Sequence, residues 1–78
     1  MIHELKTLPI HFQPVSKGLK RAELRKNDRN FKVGDSLLLW EWSPEGGYTG
    51  RSALRVVTHV ADVGAYLEGY ALLSMGDE

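Results

Sequence analysis

The sequence predicts a small, mostly β domain of the α+β class: a mixed or antiparallel barrel of about five or six short strands with one or two short helices. Three observations carry this. Short apolar segments recur along the chain, separated by Gly, Pro, Asn and Asp. One segment alone, "PIHFQPVSKG", has both a start and a stop signal for a helix. The chain has 78 residues, enough for a single domain spanning 1–78 that buries about 60–65% of the surface its unfolded form exposes.

The elements follow in order. In "IHELKTL" apolar and polar residues alternate, with Ile2, Leu5 and Leu8 departing from strict period two, and a first strand is expected. In the next segment Pro9 suits a helix's first turn and Gly18 its end. Pro14 removes a backbone donor from the interior, so the helix should be short or kinked. "KRAELRK" puts Ala22 and Leu24 on one face and Arg21, Glu23 and Arg25 on the other. A half-buried strand over Lys20–Lys26 is expected, with Ala22 and Leu24 turned to the core and the polar residues to solvent or ligand. "NDRN" reads as a turn in which Asn27 and Asp28 bond their own backbone. Phe31 and Val33 are apolar anchors ahead of a Gly-Asp turn.

"SLLLWEW" is apolar on nearly both faces, with Leu38, Trp40 and Trp42 on one and Leu37 and Leu39 on the other. A central strand over Leu37–Trp42 is predicted, with Trp40 in the core and Trp42 open to either core or surface. "SPEGGYTG" reads as a hairpin loop, making Ser43–Gly50 the most mobile internal segment. "RSALRVVTHV" returns as a strand rich in β-branched residues, "ADVGAYLE" is a loop, "GYALLSM" a last strand and "GDE" a frayed tail. Leu24, Leu38, Val56 and Leu72 are expected to be buried together.

Charge is polarised although the formal net charge is zero. Lys17–Lys32 holds seven of the ten basic residues and two of the ten acids, whereas Glu41–Glu78 holds six acids and two basic residues. A local positive field survives overall neutrality because screening limits interactions to about 8 Å at physiological salt. There is no Cys, so neither a disulfide nor a Cys-based zinc site supports the fold. His3, His11 and His59 have no metal-ligand spacing, and neither a metal nor another cofactor is expected. No apolar run reaches the roughly 18 residues of a membrane span, and "MIHELKTLP" does not read as a leader. The expectation is a cytoplasmic protein, monomeric, without a membrane partner.

The motifs "HELKTLP", "G-x-K-x-x-E-x-R-K-N-D-R", "F-x-V-G-D", "W-x-P-x-G-G-Y-T-G-R" and "G-Y-x-x-L" together resemble a family of small bacterial and phage domains, DUF3850, placed with the ASCH domains of the PUA-like superfamily. The resemblance spans nearly the whole chain. It implies a PUA-like pseudobarrel that binds RNA or a nucleotide in a cleft beside the segment holding Gly18, Lys20, Glu23 and Arg25. Some ASCH relatives are amidohydrolases of an acetylated cytidine nucleoside, with a pattern similar to "K-x-x-T-x-R". Here Lys20 and Arg25 match that pattern and Glu23 stands at the Thr position.

The candidate ligand-binding residues are therefore Lys20, Glu23, Arg25, Lys26, Arg29 and Tyr48. Arg25 offers a planar five-donor fork for phosphate or a base edge, and Lys20 a compact charge. Glu23 is an acceptor that a purely basic wall lacks, suited to an exocyclic amine. Lys26 and Arg29 would touch phosphate at the rim, and Tyr48 would stack on a base. Three function classes compete. The first is a binding module for RNA or a nucleotide. The second is a small hydrolase of a modified nucleoside, with Lys20 and Glu23 as catalytic candidates. The third is a domain whose basic strand meets an acidic partner protein, with charges that are otherwise a solvated strand face.

Overall fold

A computed structural model describes residues 1–77. The elements run β1 (Ile2–Thr7), α1 (Pro9–Ser16), β2 (Ala22–Lys26), β3 (Ser36–Ser43), β4 (Gly47–Asp62) and β5 (Tyr70–Gly76). The five strands form one sheet in the order β1-β3-β4-β5-β2. β1 pairs parallel with β3, and the remaining pairs are antiparallel. The fold is thus mostly β: a mixed sheet curled into a half-barrel, with α1 packed inside it against β3 and β4.

β4 produces the curl. Its first half pairs with β3 and its second half with β5, and both ladders are interrupted by a register shift. Opposite Glu41, β4 carries the three residues Thr49, Gly50 and Arg51 between the partners of Trp42 and Trp40. Gly50 sits there at φ 90°, a left-handed conformation that glycine adopts without a Cβ penalty. Extra residues of this kind bend a strand and raise its twist. The hairpin is tight: Ser43 pairs with Gly47 and Trp42 with Tyr48. The loop expected over Ser43–Gly50 is therefore a turn of residues 44–46, closed by Gly46 N–H donating to Ser43 Oγ at 3.1 Å, with Tyr48 to Gly50 inside a strand.

The helix keeps to its sequence signals. Pro9 opens it and Leu8 O accepts from His11 and Phe12 N–H. Gly18, at φ 75°, turns the chain out of it. Arg55 Nη2 donates to Val15 O at 2.9 Å, satisfying one of the carbonyls a helix end leaves without an intrahelical partner. Phe12 and Val15 drop from α1 into a core formed by Leu5, Phe31, Leu37, Leu39, Ala53, Val57, Ala71, Leu73 and Met75.

That core reverses the expected burial of two strands. Leu24 is 51% exposed and Leu72 37%, while Leu38 and Val56 are half-buried. Glu23, expected to face outward, is 5% exposed. One helix can cover only one face of a five-stranded sheet, so the outer face has no packing layer. Leu24 and Leu72 are cross-strand partners on it, as are Leu38 and Leu54. Trp40, assigned to the core from its apolar strand, lies on this same outer parity and is half-buried. Three smaller corrections accompany these. The second strand begins at Ala22 rather than Lys20, and Val33 is 64% exposed while Phe31 is buried. β5 runs through Gly76, so of the expected tail Asp77 remains, and Glu78 lies outside the described residues.

Asp35 ties the segment before β3 to β1. Its Oδ2 accepts from His3 Nε2 at 2.8 Å and from Lys32 N–H at 3.1 Å. The His3 ring is buried and meets Phe31 edge-on at 4.7 Å. The His3 hydrogen bond, helped by Lys32 N–H, holds the Asp35 carboxyl below its usual value against the opposing effect of burial. A depressed carboxyl pKa stabilises the folded state above the unfolded-state pKa, and that stability is lost as pH falls through the folded-state value. Asp35→Asn should therefore lower the melting temperature at neutral pH. The gap between wild type and variant should close as the solution is acidified below the ordinary carboxylate range, as thermal unfolding at a series of pH values would show.

Candidate functional site

The sheet's two edge strands, β1 and β2, face each other across the open side of the half-barrel. Arginines span the gap. On β1 the inner face holds His3, Leu5 and Thr7, all buried. Arg25 Nη2 donates to Lys6 O at 2.7 Å and to Thr7 Oγ1 at 3.3 Å. Arg29 Nη1 donates to Glu4 O at 2.8 Å. The Glu4 and Lys6 carbonyls belong to the edge of β1 that no strand covers, and an uncovered edge needs partners for its backbone groups. Two of the seven cations in Lys17–Lys32 thus serve first to close the half-barrel. A guanidinium has five N–H groups, so both arginines keep donors beyond these contacts, already oriented by them.

Glu23 organises the β2 side. Lys20 Nζ lies 2.6 Å from its Oε1, and Arg25 Nη2 and Nε lie 2.8 and 3.0 Å from its Oε2. Lys20 also donates to Ala22 O. The carboxylate can be buried because both oxygens carry a charged donor. Gly18 makes this possible by swinging the chain so that Lys20, which precedes the strand, reaches back over it. The same pairing explains why Glu23 rather than Leu24 faces inward. The open edge of the barrel needed arginine donors, and Glu23 holds one of them in place.

Two grooves meet at Lys6 and Arg25. The first, of about 700 Å³, is lined by Glu4, Leu5, Lys6, Arg25, Arg29, Trp40, Tyr48 and Gly50. The second, of about 540 Å³, includes Thr7, His11, Lys20, Glu23, Leu24, Lys26 and Tyr70. Both volumes fall in the range of small-molecule sites. Of the residues singled out from sequence, Lys20, Glu23, Arg25 and Lys26 line the second groove, and Arg25, Arg29 and Tyr48 the first. Arg25 belongs to both. Tyr48, the register partner of Trp42, lies beside Trp40 in the first groove, ring centroids 6.5 Å apart and nearly perpendicular. Trp40 Nε1 donates to Glu4 Oε1 at 2.9 Å, and Lys6 Nζ sits 4.6 Å from the centre of the Trp42 ring, within cation–π range.

Sequence reasoning missed Glu4, Lys6, Thr7 and Trp40 as groove residues. A signal existed for two of them: Glu4 and Lys6 share one parity of β1, opposite to His3, Leu5 and Thr7. Thr7 and Glu41 are register partners on the inner face and both are buried. Glu41 Oε1 accepts from Thr49 Oγ1 at 2.8 Å, with Arg51 Nη1 3.9 Å away. His3 does not flank the cleft, since Asp35 and Phe31 enclose it. Among the described residues no group of His, Asp and Glu is arranged to hold a metal ion, and no helix is long and apolar enough to cross a membrane.

The chain is 47% identical over 72 residues to an uncharacterised 12.9 kDa protein in the GpA 3' region of Escherichia phage P2. That match covers 92% of this chain and 65% of the phage protein, so the chain spans somewhat less than two thirds of that relative's length. Residues 2–75 match the family described as a domain of unknown function, DUF3850, and on the strength of that near-complete match the chain belongs to the DUF3850 family.

Proposed function

We propose that this domain binds a nucleotide unit, free or within single-stranded RNA, in the cleft between β1 and β2. One observation carries the reading: two edge-anchored arginines, Arg25 and Arg29, line a single groove with the aromatic pair Trp40 and Tyr48. Guanidinium groups with donors to spare suit phosphate oxygens, and aromatic faces suit bases, at about 1–3 kcal/mol per stacked base. The resemblance of the "G-x-K-x-x-E-x-R" segment to ASCH domains of the PUA-like superfamily supports the same reading. In it Lys20, Lys26 and Arg29 supply charge, Arg25 the directed fork, and Tyr48 and Trp40 the stacking surface. Glu23 acts through Lys20 and Arg25 as a positioning residue.

The test is a binding titration of nucleotides and short single-stranded RNAs at several salt concentrations. Arg25→Ala should weaken binding by about 1.5–3 kcal/mol, the worth of a charged hydrogen bond. Arg29→Ala should weaken it evenly across sequences and flatten the salt slope by about one unit. Wild-type protein that binds no nucleotide and no RNA in a salt-dependent way would overturn the reading.

One contact favours a second reading, a small hydrolase of a modified nucleoside. The hydroxyl that the "K-x-x-T-x-R" pattern carries at the position of Glu23 has a counterpart in Thr7 Oγ1, 3.3 Å from Arg25 Nη2, in the groove that also holds Lys20. Turnover of an acylated nucleoside, lost in both Thr7→Val and Lys20→Ala, would establish it.

A further inference from the structure

Reading an exocyclic amine requires an acceptor open to the ligand, and Glu23 does not offer one: it is buried and both its oxygens are engaged by Lys20 and Arg25. We infer that Glu4 is the specificity-determining residue of the cleft, and that its side-chain carboxylate selects nucleobases bearing an exocyclic amine. This rests on the nucleotide-binding reading and adds a base preference to it.

Glu4 lies on the outer parity of β1, exposed, and lines the first groove. Its Oε1 accepts the indole N–H of Trp40 at 2.9 Å, and its Oε2 has no protein partner among the described residues. No cation pairs with it there, in contrast to Glu23 with Lys20 and Arg25, Glu41 with Arg51 and Asp35 with the N-terminal ammonium. An indole N–H lies in the plane of its ring, so the Glu4 carboxylate sits off the edge of Trp40 rather than over its face. A base stacked on that face would present its own edge to the same carboxylate. The arginine contacts place cations close by. Arg29 is bonded to the backbone oxygen of Glu4 itself and Arg25 to that of Lys6, two residues or roughly 7 Å further along the strand.

The groove therefore combines an aromatic face, an acceptor at that face's edge and directed cations beyond it. The ligand that answers all three has a π-face, an amine donor on its rim and a negative charge. That describes a cytosine, adenine or guanine nucleotide. Uracil and hypoxanthine put a carbonyl oxygen where the amine would be, and that oxygen would meet a carboxylate.

The experiment is calorimetric titration of CMP against UMP and of AMP against IMP, repeated with C-rich and U-rich single-stranded RNAs to distinguish a free nucleotide from a polymer ligand. Wild type should favour the amine-bearing member of each pair by about tenfold, near the lower end of what one base-edge contact discriminates. Glu4→Gln keeps an oxygen for Trp40 and replaces the unpaired acceptor with a donor, so the preference should shrink to parity or reverse. Glu68→Gln, an exposed carboxylate that lines neither groove, should leave the ratio unchanged. Binding without base discrimination in wild type, or a ratio that Glu4→Gln does not move, would overturn this assignment while leaving the nucleotide-binding reading intact. Absence of binding by every nucleotide and RNA would overturn both.

Discussion

Glu23→Ala should lower the unfolding free energy by about 3 kcal/mol, a large share of the roughly 4–12 kcal/mol expected for a domain of this length. The substitution strands two cations. Lys20 and Arg25 are 29% and 25% exposed, so they are only partly hydrated once their shared carboxylate is gone. Breaking a buried pair by removing one partner costs about 3–5 kcal/mol, and the partial exposure of the cations puts this site at the lower end. Arg25 would also lose the contact that aims it at Lys6 O and Thr7 Oγ1, loosening the closure between β1 and β2. Glu23→Gln should cost less, because its amide keeps one acceptor oxygen. Adding Lys20→Met to Glu23→Ala should cost no further stability, since one stranded charge is removed with it. Urea denaturation at neutral pH reads all three variants. A loss below about 1 kcal/mol for Glu23→Ala would mean that the trio is a solvated surface cluster.

That trio shows how far the sequence could be read. The helix with its Pro9 start and Gly18 end and the succession of five strands were legible, because turn chemistry and local alternation encode them. The facing of β2 was not. Alternation says that Ala22 and Leu24 lie opposite Glu23 and Arg25, but it does not say which side is covered. Hydrophobicity alone chose the leucine. The deciding fact was tertiary: a single helix fills one face of the sheet, and the open barrel edge on that same side takes up the Glu23–Arg25 pair. Trp40 was misplaced for the same reason, since an apolar run with both parities hydrophobic does not reveal which parity packs. Tyr48 and Arg29, which line the first groove, were singled out because a Gly-rich hairpin and a charge cluster are local signals. Glu4 and Lys6 escaped notice because the residues that meet them, Arg25, Arg29 and Trp40, lie 19 to 36 residues away in sequence.

The parity of β3 gives the other large effect. Leu39→Ala should cost about 2–5 kcal/mol, the range for truncating a fully buried leucine, whereas Leu38→Ala should cost well under half as much. Leu39 is 0% exposed and stands in register between Leu5 and Ala53, beneath the helix that supplies Phe12 and Val15 to the same core. Its truncation leaves a void that a half-barrel with a single helix has few elements to refill. Leu38 lies on the outer face between Glu4 and Leu54, where a shortened side chain leaves space open to water rather than a cavity. Chemical denaturation of the two variants with unchanged denaturant slopes measures the difference, and a costlier Leu38→Ala would invert the assignment of faces. The cleft depends on the same alternation. The parity that buries Leu37 and Leu39 turns Glu41 inward beside Thr7 and leaves Trp40 outward beside Tyr48. A one-residue slip of β3 would carry Trp40 inside and remove the aromatic wall from the groove that Arg25 and Arg29 line.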